Sequence, residues 1–178
     1  MTKDQRIRRV ALLCCHFTRN LAYFRAGRKE LLLKKEGDFW ITVVGNFIDV
    51  SVLEWSKLFV YHSDKHHWKQ IVSDKKEFRS RLVKTLGITN ADWSKSWHEI
   101  KDYRDKFLAH LDSEFTMDIP DMTLPQRMVE FYFDDLRTYC SSNSVLDGMP
   151  RDMSQYYTDC HNEALVVYKH NKALQPTT

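Results

Sequence analysis

The sequence predicts an all-α fold, a bundle of about five to six helices, and three observations support this prediction. The 178 residues include only 5 glycines and 4 prolines, whereas a β-sandwich or barrel needs turn residues about every 8–12 positions. Hydrophobic residues make up 43% of the chain and aromatic residues 13%, which is enough for a core without disulfides or metals. Most glycines and prolines separate blocks of helical length that carry apolar residues at helical spacing.

The first two helices are predicted from apolar periodicity. The first covers about residues 4–26, where apolar side chains recur at alternating spacings of three and four, namely Ile7, Val10, Cys14, Phe17, Leu21 and Phe24. The second covers about 38–61, although its beginning is rich in strand-forming residues. We prefer a helix there because no partner strand is visible elsewhere. Gly27 and Gly37 are predicted to flank a short link between the two helices.

Capping signals predict the next two helices. Asp74 begins a helix that ends at Gly87, because an acidic N-cap opens it and a glycine closes it. Asn90 or Asp92 is predicted to cap the following helix, which runs to about Leu111.

Two more helices complete the predicted bundle. Thr123 stands three residues before Gln126 with a proline between them, which predicts a helix that begins at this threonine and runs to about Ser141. A last helix is predicted from about 151 to 172. We therefore expect one helical domain over residues 1–172, followed by a polar C-terminal tail over residues 173–178.

Composition also predicts where the protein acts. No apolar run approaches the roughly 18–20 residues that span a bilayer, and the charged N-terminus lacks the pattern of a signal peptide. The four cysteines have no CxxC spacing and are expected to be reduced thiols. We therefore expect a cytoplasmic protein with no membrane partner.

Charge is distributed unevenly along the chain. Residues 1–35 contain ten Lys or Arg against two acids, and residues 112–163 contain eleven acids against three Arg. This asymmetry permits contact with a polyanion at the basic end. The alternative is that the basic and acidic helices contact each other, in the fold or in a dimer.

The helix predicted over 92–111 breaks its own apolar pattern at Arg104. The core positions by spacing carry apolar side chains at Trp93, Trp97, Ile100, Phe107 and Leu111, and the arginine occupies the slot between Ile100 and Phe107. Because an arginine never loses its charge, it must meet a carboxylate, reach water, or face a cleft that holds an anion.

His110 follows Arg104 six residues later. On a regular helix these side chains lie about 120° apart around the axis and about 9 Å apart along it, so they cannot converge on one atom. Either the helix ends between them or a second chain supplies one of the groups. Tyr103 and Lys106 share a face with His110, and Asp105 could orient a neighbour.

The stretch from Trp97 to Asp112, which contains RDKFLAHLD, resembles the signature of the HEPN superfamily (higher eukaryotes and prokaryotes nucleotide-binding). Members carry an arginine, often a polar residue next, and a histidine after four to six residues. The form seen here is most similar to the bacterial branch associated with abortive infection by phages. The likeness is strong over about residues 97–112 and diffuse over about 40–140. Arg9 and His16 match the bare spacing but lack the surrounding context.

The resemblance implies an HEPN-like up-and-down bundle that often dimerises with two motifs facing across a cleft. It also implies a metal-independent endoribonuclease whose catalytic residues are Arg104, His110 and Asp105. His110 would take the proton from a ribose 2′-hydroxyl, and Arg104 would hold the scissile phosphate. Asp105 would orient these groups, while Lys106 and Tyr103 would contact backbone phosphate.

The predicted function is therefore RNA cleavage in phage defence or toxin-like growth control, by a homodimer that needs no cofactor and no metal. RNA and an antitoxin or other partner protein are the expected partners. The alternative is a non-catalytic helical module that binds a nucleotide, an RNA or a protein, because many HEPN members are inactive as nucleases. The sequence leaves open which of the two applies.

Two other groups of residues carry side chains that could bind a metal or act as nucleophiles. His62 and His66 have the spacing of a helical metal pair, but their surroundings are polar and no second pair lies nearby, so we do not expect a metal site. Cys14, Cys15 and His16 lie on the first helix, where core packing is the preferred interpretation over a nucleophilic role.

Overall fold

The computed structural model describes residues 1–32, 38–109 and 118–173. Within these ranges the protein contains seven α-helices and no β-strand, which confirms the predicted all-α fold. The helices are α1 Lys3–Leu32, α2 Asp38–Phe59, α3 Trp68–Ile71, α4 Lys75–Leu86, α5 Asn90–Tyr103, α6 Thr123–Leu136 and α7 Met153–Ala173. A π-helical turn, Arg104–Ala109, continues α5, and two short 3-10 turns, Arg137–Tyr139 and Asn143–Leu146, follow α6.

The long helix α1 is the centre of the bundle and packs chiefly against α2 and α7, with α6 also in contact. All six residues of its predicted apolar stripe are buried, because the spacing places them on one face. Helix α1, which carries most of the basic residues of the N-terminal segment, contacts α6 and α7 in the acidic part of the chain. Arg25 donates a hydrogen bond to the side chain of Gln126 on α6, and the hydroxyl of Tyr23 donates to Glu163 on α7.

Gly27 lies inside α1, so the prediction that it begins a link is wrong. A Cβ atom built on Gly27 would lie 2.5 Å from a methyl carbon of Val44 and 2.6 Å from the hydroxyl of Tyr168. A larger residue at Gly27 would force the side chains of Val44 on α2 and Tyr168 on α7 to shift, so the glycine permits this close packing. The other predicted link residue, Gly37, lies outside the described residues.

The second helix is observed as predicted, and its C-terminal end anchors an aromatic core. Phe59 stacks on Trp55 with ring centroids 5.1 Å apart, and it makes edge contacts with Trp93 at 6.2 Å and Tyr132 at 5.7 Å. The indole nitrogen of Trp97 donates to the Phe59 carbonyl at 3.1 Å. These contacts fix α5 against the end of α2.

Helix α4 begins and ends where its caps were predicted. The side chain of Asp74 accepts hydrogen bonds from the backbone of Lys76 and Glu77, and Gly87 closes the helix with a φ of 63°. For α5, the prediction of Asn90 or Asp92 as N-cap is wrong by one or three residues. Thr89 is the N-cap, and Asp92 completes a capping box with it.

Helix α6 differs at both ends from the prediction. Its N-cap is Met122, and the backbone N–H of Thr123 is bound by Asp121, so the predicted threonine capping box does not form. The α-helix ends at Leu136 and tightens into a 3-10 turn before the predicted end near Ser141.

The last helix, α7, extends to Ala173, one residue into the predicted polar tail, whose other residues, 174–178, lie outside the described part. Among the helices described, none combines the length and apolar character needed to cross a bilayer.

Candidate functional site

The buried face of α5 passes through Tyr103, so the prediction that Arg104 fills a core slot is wrong. Ile100 is fully buried and Tyr103 is 3% exposed, whereas the side chain of Arg104 is 31% exposed. A step of three residues from Ile100 fits a 3.6-residue period as well as a step of four. The tyrosine ring therefore packs in the core, and the arginine lies at the edge of the buried face.

Tyr103 was predicted to share a face with Lys106 and His110 and to contact backbone phosphate, but it is buried against α2. Its hydroxyl donates a hydrogen bond of 2.9 Å to Asp49 on α2. Burial, and next the negative charge of Asp49, raise the pKa of Tyr103 well above its usual value. The phenol is thus a neutral packing group that joins α5 to α2, and the structure does not present it to a phosphate.

Arg104 belongs to a cluster of four side chains that we call the Asp105 cluster, namely Tyr61, Lys101, Arg104 and Asp105. A terminal nitrogen of Arg104 donates to Asp105 at 2.9 Å, and its guanidinium carbon lies 4.8 Å from the centre of the Tyr61 ring. Asp105 also accepts from the Tyr61 hydroxyl at 2.7 Å and from Lys101 at 2.6 Å. Three donors from two segments therefore converge on one carboxylate.

These contacts hold the Asp105 cluster in one charge state. Burial alone raises the pKa of Asp105, but hydrogen bonds from Lys101, Tyr61 and Arg104 outweigh it and hold this pKa well below its usual value. Burial, and next the bond to Asp105, raise the pKa of Tyr61 to about 12, so it remains a neutral donor. Asp105 accepts from one terminal nitrogen of Arg104, which carries five N–H donors in all, so Asp105 alone does not saturate the guanidinium.

The predicted regular helix to Leu111 is wrong, because α5 ends at Tyr103 and a π-helical turn covers Arg104–Ala109. Such turns account for well under 1% of residues in globular proteins and occur frequently at functional sites. The turn coincides with the segment of the motif between its arginine and its histidine. The predicted angle of about 120° between these two residues assumed a regular α-helix and does not apply. His110 itself lies outside the described residues.

Lys106 lies beside acidic groups. It lines a depression of about 440 Å³ together with four carboxylates, those of Glu99, Asp102, Asp118 and Asp121. A phosphate that approached Lys106 from this depression would meet these carboxylates. Lys106 is therefore a weaker candidate for phosphate contact than Arg104.

His62 and His66, which have the spacing of a helical metal pair, lie in the turns between α2 and α3, so this spacing does not place them on a helical face. His66 pairs with Asp64 at 2.9 Å, and His62 contacts Lys69 at 3.2 Å. Over residues 1–32, 38–109 and 118–173, no group of three or more His, Cys, Asp or Glu residues could hold a metal ion.

The cysteines of α1 are packing residues, as their spacing predicted. Cys14 is fully buried and Cys15 is 7% exposed. Burial raises the pKa of Cys14 well above its usual value and that of Cys15 to about 11, which disfavours the reactive thiolate.

Two members of the Asp105 cluster were not predicted. Lys101 precedes Asp105 by four residues, a spacing at which helical side chains meet, so the sequence did contain a signal for this pair. Tyr61 follows α2 and reaches Asp105 only through the packing of α2 on α5, and no local pattern indicates this contact.

Comparison with known proteins gives no match: no protein-family model fits the chain, and no curated protein or solved structure is significantly similar to it. The HEPN resemblance therefore rests on the motif residues themselves and remains a prediction.

Proposed function

We propose that this protein is a metal-independent endoribonuclease of HEPN type that acts in phage defence or toxin-like growth control. The observation that carries the proposal is Arg104, a permanent cation held at the surface by Asp105 and by the ring of Tyr61. Positioned donors of this kind stabilise negative charge that develops on a reacting phosphate. The π-helical turn that begins at Arg104 and leads directly to His110 supports the same assignment.

The proposed reaction is a transesterification within the RNA strand. His110, as general base, takes the proton of a ribose 2′-hydroxyl, and the 2′-oxygen attacks the adjacent phosphorus. The bond from phosphorus to the 5′-oxygen breaks, and this oxygen takes a proton from water to become a 5′-hydroxyl. The other product ends in a 2′,3′-cyclic phosphate. Arg104 contacts the phosphate oxygens, and Asp105 acts as a positioning residue for the guanidinium.

The proposal includes a cytoplasmic homodimer in which the two motifs face each other across a cleft, as the resemblance implies. It also includes an antitoxin or other protein partner. Large apolar side chains are exposed at the start of α2 and late in α7, with Phe39 70% and Val166 59% exposed. Exposed apolar surface of this kind supports binding of a protein partner. Sedimentation that shows only monomer at working concentration would contradict the shared cleft.

The proposal is tested by incubating the purified protein with end-labelled RNA in EDTA. We expect cleavage that leaves 2′,3′-cyclic phosphate ends. His110→Ala should reduce the rate at least about 100-fold, because general-base catalysis typically contributes 10²–10⁴-fold. Arg104→Gln should reduce it by a similar factor, since it removes the charge that stabilises the reacting phosphate.

The chain supplies its own matched controls. Arg9 and His16 have nearly the same spacing on α1, and both are accessible to solvent. Arg9→Gln and His16→Ala should therefore leave the rate unchanged within about twofold. A His110→Ala variant with full activity would remove the proposed base. Intact RNA binding without any cleavage would instead favour the non-catalytic alternative.

A further inference from the structure

Two adjoining depressions on the face formed by α3, α4 and α5 have a strongly basic lining, and we call them together the basic groove. One has a volume of about 420 Å³ and the other about 700 Å³, and they share Lys76 and Arg79. Among the residues that the structure describes, no Asp or Glu lines either depression. The basic groove contains five cationic side chains, those of Lys69, Lys75, Lys76, Arg79 and Lys84.

The cations of the basic groove have no carboxylate within ion-pair distance among the described residues. In the part of the chain that the structure describes, none of the five forms an ion pair, whereas Arg81 on the same helix contacts Asp135 at 2.7 Å and Glu77 at 3.7 Å. Burial lowers the pKa of Lys69, and the charges of Arg79 and Lys75 lower it further. Like charges held together at this density are relieved by an anionic ligand.

Tryptophans form the floor of the basic groove and fix two of its cations. Lys69 lies 5.6 Å from the ring centre of Trp68, and Arg79 lies 5.3 Å from that of Trp93. Both indoles are almost fully buried, at 4% and 7% exposure. The rings therefore support the cations and present little apolar surface of their own.

We propose that the basic groove binds the phosphate backbone of single-stranded RNA. The centres of protein interfaces are depleted in lysine, whereas the basic groove contains four lysines beside Arg79. A flexible single strand can enter a concave surface. A duplex is rigid and carries its phosphates on a convex outer surface, so it fits such a groove poorly. Because the contacts are to phosphates and not to bases, binding is strongly salt-dependent and has little sequence preference.

The basic groove leads toward Arg104. His62 lines it, and the adjacent Tyr61 stacks on the Arg104 guanidinium. Trp97 lies at its floor, and Arg104 follows seven residues later, directly after the end of α5, a rise of about 10 Å. A strand held in the basic groove can thus continue to the Asp105 cluster. This direction of the strand rests on the proposed function, whereas binding in the basic groove does not.

The test is fluorescence anisotropy with a labelled oligouridylate of about 12 nucleotides, using the full chain with His110→Ala so that the probe stays intact. Five phosphate contacts predict that log Kd rises with log salt at a slope of about 3.5, because each contact to a single strand contributes about 0.7. Lys76→Gln/Arg79→Gln removes two contacts and should lower the slope to about 2. The same loss should weaken binding on the order of 20-fold at about 0.1 M salt.

Two controls accompany this variant. Arg151→Gln/Lys169→Gln removes the same charge near and on α7 and should change Kd less than about twofold. Lys75→Gln/Lys76→Gln also removes two charges but keeps the contact between Arg79 and Trp93, and it should weaken RNA binding as much as the first pair. A loss of binding in both variants therefore cannot be explained by local unfolding around Arg79. Unchanged affinity and salt slope in both groove variants would overturn the proposal, as would equally tight binding of poly-glutamate. RNA binding without cleavage by the wild-type protein would refute only the proposed function.

Discussion

Gly27 and Gly45 provide a sharp test of the packing of α1 against α2 and α7. Both glycines lie inside long helices, but a Cβ at Gly27 would meet Val44 at 2.5 Å and Tyr168 at 2.6 Å, whereas a Cβ at Gly45 would have no atom of the described residues within 4 Å. Substitution to alanine therefore raises helix propensity at both positions, but it creates a steric clash only at Gly27.

The shared effect is helix propensity, which favours alanine over glycine by about 1 kcal/mol. At Gly45 this is the whole effect, so Gly45→Ala should raise the free energy of unfolding by about 1 kcal/mol. At Gly27 overpacking costs typically about 1–3 kcal/mol. Gly27→Ala should therefore be less stable than Gly45→Ala by about 1–3 kcal/mol, because the propensity gain cancels in the comparison.

The assay is urea unfolding followed by tryptophan fluorescence, with thermal unfolding as a second measurement. For a chain of this size a difference of 1 kcal/mol corresponds to about 2–4 °C in Tm. Gly27→Ala should thus melt several degrees below Gly45→Ala. Equal stability of the two variants, or a more stable Gly27→Ala, would refute the close approach of the three helices.

Two further predictions concern capping and pH. Asp74→Ala should lower the free energy of unfolding by about 1 kcal/mol, measured in urea, because two backbone N–H groups lose their acceptor; no change would mean that the cap contributes nothing. Burial, and next the His62 and Lys69 charges, lower the pKa of His67 from 6.5 to about 4. Between these pH values the unfolded chain binds a proton that the folded chain does not, so stability should fall as pH falls from 6.5 toward 4. His67→Asn keeps the acceptor for Lys69 and should flatten this slope; an unchanged slope would contradict the assignment.

The parts of the fold that the sequence predicted correctly depend on local patterns. The apolar stripe of α1 and the Asp74 cap of α4 each depend on residues a few positions apart, so periodicity and capping rules capture them. The helix predicted over about 38–61 is observed over Asp38–Phe59, and it was predicted because no partner strand was visible for its strand-forming residues. The prediction that Gly27 begins a link was wrong because the glycine is required by close contact with Val44 and Tyr168, which are distant in sequence.

The candidate site was predicted less completely. Periodicity cannot decide between Tyr103 and Arg104 for one core slot, since adjacent residues both fall near the buried face. Tertiary contacts determine which residue is buried. Asp49 accepts a hydrogen bond from the Tyr103 hydroxyl, and the ring of Tyr61 lies against the Arg104 guanidinium. The π-helical turn was not predicted either, because no residue pattern in the motif indicates it.

The pairing of α1 with α7 determines when α1 can be shielded as the polypeptide emerges from the ribosome. Roughly 120 residues separate the end of α1 at Leu32 from the start of α7 at Met153. At elongation rates of about 5–20 residues per second, the nascent first helix waits roughly 6–24 s for its last partner. During that interval the part of the apolar face of α1 that α7 later covers is exposed to solvent. Chaperones that bind incompletely folded proteins can therefore bind the nascent chain.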